Sequence, residues 1–421
     1  MRHIFAKRSS IVLLLLSSLS AIAQNSNKEN SPYSRFGIGE MRNSNNVMLR
    51  GMGSASVAYA GQFNVNTANP ASYSSLKLTT YEAAGEANTR TIQTNTDKYR
   101  TGMATLSYMH IGIPMGKYMG MALGLRPISR VYYRLNDTTN IDSFGSAIKG
   151  YQGDGSLNQG FVGFGGKYKG ISLGFNFGYV FGNIENISSL DPLNSSTNKV
   201  LGSGFLTHTR VGGVYWDAGA SYEYNIKEKL GLRVGATFAG SQQLIATKDQ
   251  YWMAYRYETD TVFKSEGQRD KIVLPTKLGF GVQMFNTGKW AVGADFTTTN
   301  WSQYRNFGLT DSLANGAYKI SVGGEYTPDI NETRKYLQRV TYRLGAYYGT
   351  DPVMLRGVQL DYYAITAGMT LPFKKNTARL QTSIEIGSRG TTSNGLLREN
   401  FVKFGLGISL NDKWFIKRKY E

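Results

Sequence analysis

From residue 76 onward, apolar side chains fall on every second position. Ile171, Leu173, Phe175, Phe177, Tyr179 and Phe181 alternate with Ser172, Gly174, Asn176 and Gly178. Leu230, Leu232, Val234, Ala236 and Phe238 alternate with Gly231, Arg233, Gly235 and Thr237, and Leu278, Phe280, Val282 and Met284 with Gly279, Gly281 and Gln283. Val402, Phe404, Leu406, Ile408 and Leu410 repeat the pattern near the end. A period of two is the signature of a strand with two unlike faces. Here the second face is mainly Gly, Ser, Thr and isolated charges, and many segments are longer than the ~9–11 residues a tilted strand needs to cross a bilayer. Tyr and Phe at segment ends fit the aromatic girdles of a membrane barrel.

The pattern predicts strands near 76–93, 101–113, 118–134, 158–167, 171–181, 208–225, 230–246, 271–285, 290–300, 316–327, 340–349, 357–373, 378–389 and 397–410. Short connections at 114–117, 168–170, 226–229, 286–289, 328–339 and 374–377 alternate with longer ones, including 135–157, 182–207 and 247–270. The fold class expected is all-β: a 14-stranded antiparallel transmembrane barrel, the even count letting the sheet close without an edge. The stretch 250–263 holds Tyr251, Trp252, Tyr255 and Tyr257, but a strand there would break the parity, so it is placed in a loop.

Composition agrees. The 421 residues include 49 Gly, 28 Tyr and 20 Phe but no Cys, and the mean hydropathy is only −0.32. That excludes disulfides, thiolate chemistry and a bundle of apolar helices. With only His3, His110 and His208, histidine-based catalysis and histidine metal sites have no material; neither enzyme activity, a metal nor a cofactor is expected. Arg2, His3, Lys7 and Arg8, the apolar run from Ile11 to Leu16, and Ala21-Ile22-Ala23 form a secretory signal over residues 1–23. Residues 24–75 lack the alternation and are expected in the lumen as a hatch, followed by the barrel (76–410) and a basic tail (411–421). The chain is expected in the outer membrane of a Gram-negative cell, in contact with its lipid.

Arg50-Gly51-Met52-Gly53 through Ala60, followed by Asn69-Pro70-Ala71-Ser72, resembles the hatch of the FadL-like long-chain fatty acid transporters, which ends in an Asn-Pro-Ala element before the first strand. Segments 170–182, 274–279 and 289–302 resemble strands of that family. The resemblance implies a luminal hatch, a hydrophobic small-molecule ligand and a kink in the third strand that opens a lateral path; Arg126-Pro127 falls inside the third strand. Ser31-Pro32-Tyr33-Ser34-Arg35-Phe36-Gly37-Ile38-Gly39 is more similar to barrels from bacteria that use type IX secretion.

Charge adds two features. Glu82, Glu86, Asp217, Glu223, Asp295, Glu325 and Glu385 share inward parity with Arg126, Arg233, Lys277, Lys319 and Arg343, which reads as a solvated or ion-paired lumen rather than acid–base machinery. The net charge of +18 concentrates in the short turns and tail, at Lys374, Lys375, Lys417, Arg418 and Lys419, while the long connections are slightly acidic. A basic periplasmic rim attracts anionic lipid heads or an acidic partner within about 8 Å; nucleic acid is not expected there. Two functions follow. One is passive transport of hydrophobic, fatty-acid-like molecules by hatch displacement and lateral exit. The other is a non-enzymatic plug subunit of a larger, type IX-like secretion complex, held through the basic rim.

Overall fold

The computed structural model describes residues 30–141, 145–193, 201–255, 259–332, 334–373 and 378–413. One continuous antiparallel sheet closes on itself. In chain order its strands are β1 (Glu40–Met41), β2 (Thr79–Gln93), β3 (Lys98–Met115), β4 (Met119–Ile141), β5 (Gly145–Tyr168), β6 (Ile171–Pro192), β7 (Gly202–Asn225), β8 (Leu230–Ala239) and β9 (Gln242–Tyr255). They continue with β10 (Thr259–Leu274), β11 (Lys277–Asn286), β12 (Trp290–Thr299), β13 (Arg305–Asn306), β14 (Ala317–Tyr326), β15 (Thr341–Leu355), β16 (Val358–Pro372), β17 (Ala378–Gly390) and β18 (Arg398–Asp412). β18 pairs with β2 from Arg398↔Gln93 to Asp412↔Thr79, which closes the ring. β8 and β9 are one wall strand broken at residues 240–241, and β10 and β11 are one broken at 275–276. With β1 and β13 set aside as short additions, the wall is 14-stranded.

The faces divide as the alternation requires. On β6, Leu173, Phe175, Phe177, Tyr179 and Phe181 are exposed on the outside, while Ser172, Asn176 and Val180 are buried on the inside. An apolar outer band facing lipid and a polar inner face are what a bilayer selects. Two-residue turns join several strands at their tips: Lys169-Gly170 links Tyr168 to Ile171, with both φ values positive (46° and 88°), as a hairpin turn matched to strand twist demands.

The long connections differ from the sequence expectation. The described parts of 135–157, 182–207 and 247–270 are mostly strand, not loop: β4 and β5 pair as far as Ile141↔Gly145, β6 and β7 as far as Leu190↔Ser203, and β9 and β10 from Thr259↔Tyr255 inward. Tyr251, Trp252 and Tyr255 belong to β9; Tyr257 lies outside the described residues. Above the apolar band a strand needs ladder partners but no greasy outer face, so apolar alternation cannot detect it. The parity survives because this hairpin extends strands already counted. At the break in β8–β9, the Gln242 side chain stands in for the missing ladder: Trp216 N donates to its Oε1 (2.6 Å) and its Nε2 donates to Trp216 O (2.8 Å).

Inside the long-hairpin end the wall is apolar. Val131, Leu157, Val180, Val211, Leu244 and Ile272 are buried together, with Ile38 and Trp301 against them. From that end downward, residues 30–78 fill the lumen: the helix α1 (Val47–Arg50) packs on β16, β17 and β18, and a 3-10 turn (Pro70–Ser75) on β3 to β7, so the segment spans the ring.

Candidate functional site

The site is built where the N-terminal segment meets the wall. Near the short-turn end, Asn69 caps the 3-10 turn by accepting from Ala71 N (3.1 Å) and donates to Val57 O (2.6 Å) and Ala220 O (3.2 Å). Pro70 sits in the first turn, where its missing N–H costs nothing. The backbone of Pro70 and Ala71 lies directly on Gly174, where a side chain would collide with it. Inward glycines therefore make a seat for the segment. Gly51 and Gly53 follow the same logic from the other partner. Gly51 rests against Gly368, and Gly53, at φ +63°, donates its N–H to Thr366 Oγ1 (2.8 Å).

Several luminal charges are ion-paired, and several hold the segment. Asp295 Oδ2 accepts from Ser56 N (2.5 Å) and Val57 N (2.8 Å). Arg233 pairs with Glu223 (2.6 Å), and Arg343 with Glu325 (2.8 Å). Arg126 points into the lumen, where it bridges the Thr67 carbonyl (3.0 Å) to Asp217 (3.1 Å). Arg50 pairs with Glu86 and donates to Asn43 O (2.6 Å) and Asn45 O (3.0 Å).

Sequence reasoning missed a further cluster near the long-hairpin end. Arg90, 1 % exposed, pairs with Glu399 and with Glu40 (2.9 Å) and donates to Ser31 Oγ (3.0 Å) and Tyr132 Oη (2.9 Å). Arg389 pairs with Asp351 (2.9 Å) beside them. Burial alone would raise the Glu40 carboxyl, but Arg90 and Arg389 hold it well below the usual carboxylate range. Tyr33 also anchors here: its Oη donates to Leu397 O (2.6 Å) and accepts from Leu397 N (2.8 Å). The available signal was parity, since Arg90, Arg389 and Glu399 all take the inward positions of their strands.

Among the described residues the wall has one seam. β3 and β4 pair only from Met115↔Met119 to Met109↔Leu125. There β3 carries an extra residue at Ser107, β4 carries one at Ile128, and Pro127 has no N–H to give. Beyond it the edge of β4 belongs to the N-terminal segment: β1 pairs Glu40↔Arg130 and Met41↔Ser129, Arg42 N donates to Ile128 O (2.8 Å), and Ser31 N to Tyr132 O (2.9 Å). β1 and β4 together pass behind β2 and β3 as a lap joint. Across it Arg42 reaches Glu86 (3.3 Å) and Thr105 (3.3 Å), and Arg130 reaches the Met103 sulfur (2.5 Å). A cavity of about 540 Å³ opens at this seam beside Pro127, and a second of about 400 Å³ lies in the lumen against Met41, Tyr215, Phe238, Leu274, Tyr347 and Phe401. Lys277, Lys319 and Lys403 also face the luminal cavity.

His110 is stacked on Tyr108 (4.6 Å) and edge-on to Phe161 (5.7 Å), in a packing role; His208 lies 3.8 Å from Glu185 at the surface. Among the described residues no group of three His, Cys, Asp or Glu side chains could hold a metal. Lys374, Lys375, Lys417, Arg418 and Lys419 lie outside the described residues.

A family model described as BamG matches residues 5–421. No curated protein matches the sequence. Among solved structures the fold is similar to a Pseudomonas aeruginosa FadL homologue (TM-score 0.58, 13 % identity, covering 89 % of this chain and 99 % of that one). It is also similar to the Ralstonia pickettii toluene transporter TbuX (TM-score 0.57, 12 % identity, 87 % and 98 %) and the Pseudomonas putida toluene transporter TodX (TM-score 0.53, 14 % identity, 89 % and 99 %). The fold is that of outer-membrane barrels.

Proposed function

The chain belongs to the BamG family, and from that premise together with its geometry we propose that it is a passive outer-membrane channel for small hydrophobic molecules, shut here by its N-terminal hatch. The observation that carries this reading is the end of β3–β4 pairing at Met109 and Leu125, next to a luminal cavity with aromatic walls. Two barrels of the same fold are toluene transporters. A ligand would enter the lumen as the hatch beyond β1 shifts, and leave sideways past Pro127 while β1 stays seated on β4. The route has a cost: Glu40, Arg42, Glu86 and Arg90 line it, and charged groups must stay paired for an apolar molecule to pass. Uptake of labelled toluene and of a long-chain fatty acid by cells with and without the gene tests the proposal. Equal uptake of both compounds in the two strains rules the channel out.

A second reading is favoured by how firmly the hatch is held. Buried ion pairs fix it through Arg50–Glu86 and Glu40–Arg90, and Arg126 donates to the Thr67 carbonyl, more than a plug in frequent motion would need. On this reading the barrel stays closed and serves as a subunit of a larger outer-membrane complex, docked through Lys374, Lys375, Lys417, Arg418 and Lys419. Reversing these five charges should abolish co-purification of partners from gently solubilised membranes, and unchanged recovery would count against it.

A further inference from the structure

The edge of β4 beyond Pro127 is claimed by one strand and left aside by another. In the structure Ser129 and Arg130 pair with Met41 and Glu40 of β1. Alongside, residues 102–107 of β3 make no ladder pair with β4, although both strands pair normally up to Met109↔Leu125. Each strand carries one extra residue at the same point, Ser107 and Ile128, so the register resumes unchanged and sets Thr105 opposite Ser129. The two pairings are mutually exclusive, because a strand edge accepts one neighbour. β1 is only two residues long, and its seat depends on Glu40 being held by Arg90 and Arg389 and on Gly39, at φ +96°, packed on the Arg130 carbonyl.

We infer that β1 is a wedge. It keeps β4 lapped behind β2 and β3, and when it leaves, β3 zips onto β4 and the wall becomes a continuous ladder. The seam is then a two-state element whose setting belongs to the N-terminal segment. This holds whatever the barrel carries, so it stands or falls separately from the transport reading.

Cysteine pairs report the two states directly, since the chain has no cysteine of its own. Full-length protein in outer membranes would carry either Met41→Cys with Ser129→Cys or Thr105→Cys with Ser129→Cys. Directly opposed strand residues lie within disulfide reach. On mild oxidation the 41–129 pair bridges and the 105–129 pair does not. Adding Glu40→Ala lowers the first yield and raises the second, each by roughly tenfold. Gly39→Val, which unseats β1 without removing a charge, shifts both yields the same way and serves if loss of Glu40 prevents folding. The wedge is overturned if the 41–129 pair fails to bridge in the otherwise unaltered protein, or if both yields stay the same in the folded variants.

Discussion

At the scale of single residues, the lumen is organised by arginines that each hold a carboxylate and a piece of backbone. Arg90 shows what this is worth. Its partner Glu399 is fully buried, so Arg90→Ala leaves that charge to Arg389, 3.6 Å away, and the Ser31 hydroxyl, 2.7 Å away. Removing one member of a buried pair costs about 3–5 kcal/mol. A urea titration of the detergent-solubilised barrel should show that loss, with Arg90→Ala plus Glu399→Ala costing less than the sum of the single changes. Asp295→Ala makes a more local prediction. It strips the acceptor from Ser56 N and Val57 N, at about 1–3 kcal/mol per stranded donor, and limited proteolysis should then cut within residues 54–60 before the wall unfolds. The depressed Glu40 pKa gives a pH dependence with a definite sign. Its stabilisation is present in full above the ordinary carboxylate value of about 4.3 and is lost only as pH falls through the lower folded value. Protease resistance of residues 30–42 should therefore persist at pH 4 in the parent protein, while Glu40→Gln should lower it at neutral pH.

At the scale of elements, glycine placement decides where the segment can sit. Gly174→Leu would drive a side chain into the Pro70–Ala71 backbone; it should expel the 3-10 turn while leaving β6 paired, visible as faster amide exchange over residues 66–76 with protection of β6 retained. The membrane-crossing parts of the strands were legible because two solvents impose two faces on one strand. Ile171 to Phe181 could be read directly. The outer parts of β4 to β7, and β9 and β10 except for residues 242–246 and 271–274, were not legible as strands: between Thr259 and Lys271 nearly every residue is exposed, so neither face carries an apolar signal. The breaks at 240–241 and 275–276 were hidden for a different reason. They are carried by one glutamine side chain and a loop contact, Thr276 N donating to Gln303 Oε1 (2.9 Å), which only the assembled wall brings together.

At the scale of the molecule, parity placed Asp217, Glu223, Arg233, Asp295, Glu325 and Arg343 on the inner face, where Glu223 lies against Arg233, Glu325 against Arg343 and Asp217 against Arg126, while Asp295 accepts from the Ser56 and Val57 backbone. What parity could not supply was the other half of the site, the path of residues 30–50, whose partners Arg90, Tyr132, Arg389 and Leu397 are far away in sequence. Pro127 marked a disturbance in the third wall strand, but β1 lying behind it follows from no pattern in the chain. Removing residues 30–60 should convert a silent barrel into a conducting one in planar bilayers, because the 400 Å³ cavity would then join the space vacated by α1. Conductance equal to that of the intact protein would mean the long-hairpin end is sealed by its own apolar interior. The height of that end has a consequence of its own. β5 and β7 are 24 residues long, roughly 80 Å at about 3.3 Å per residue, against the ~9–11 residues that cross lipid. More than half of each therefore stands clear of the hydrocarbon, as a stiff turret that proteases added on that side of the membrane should meet before anything lying flush with the bilayer.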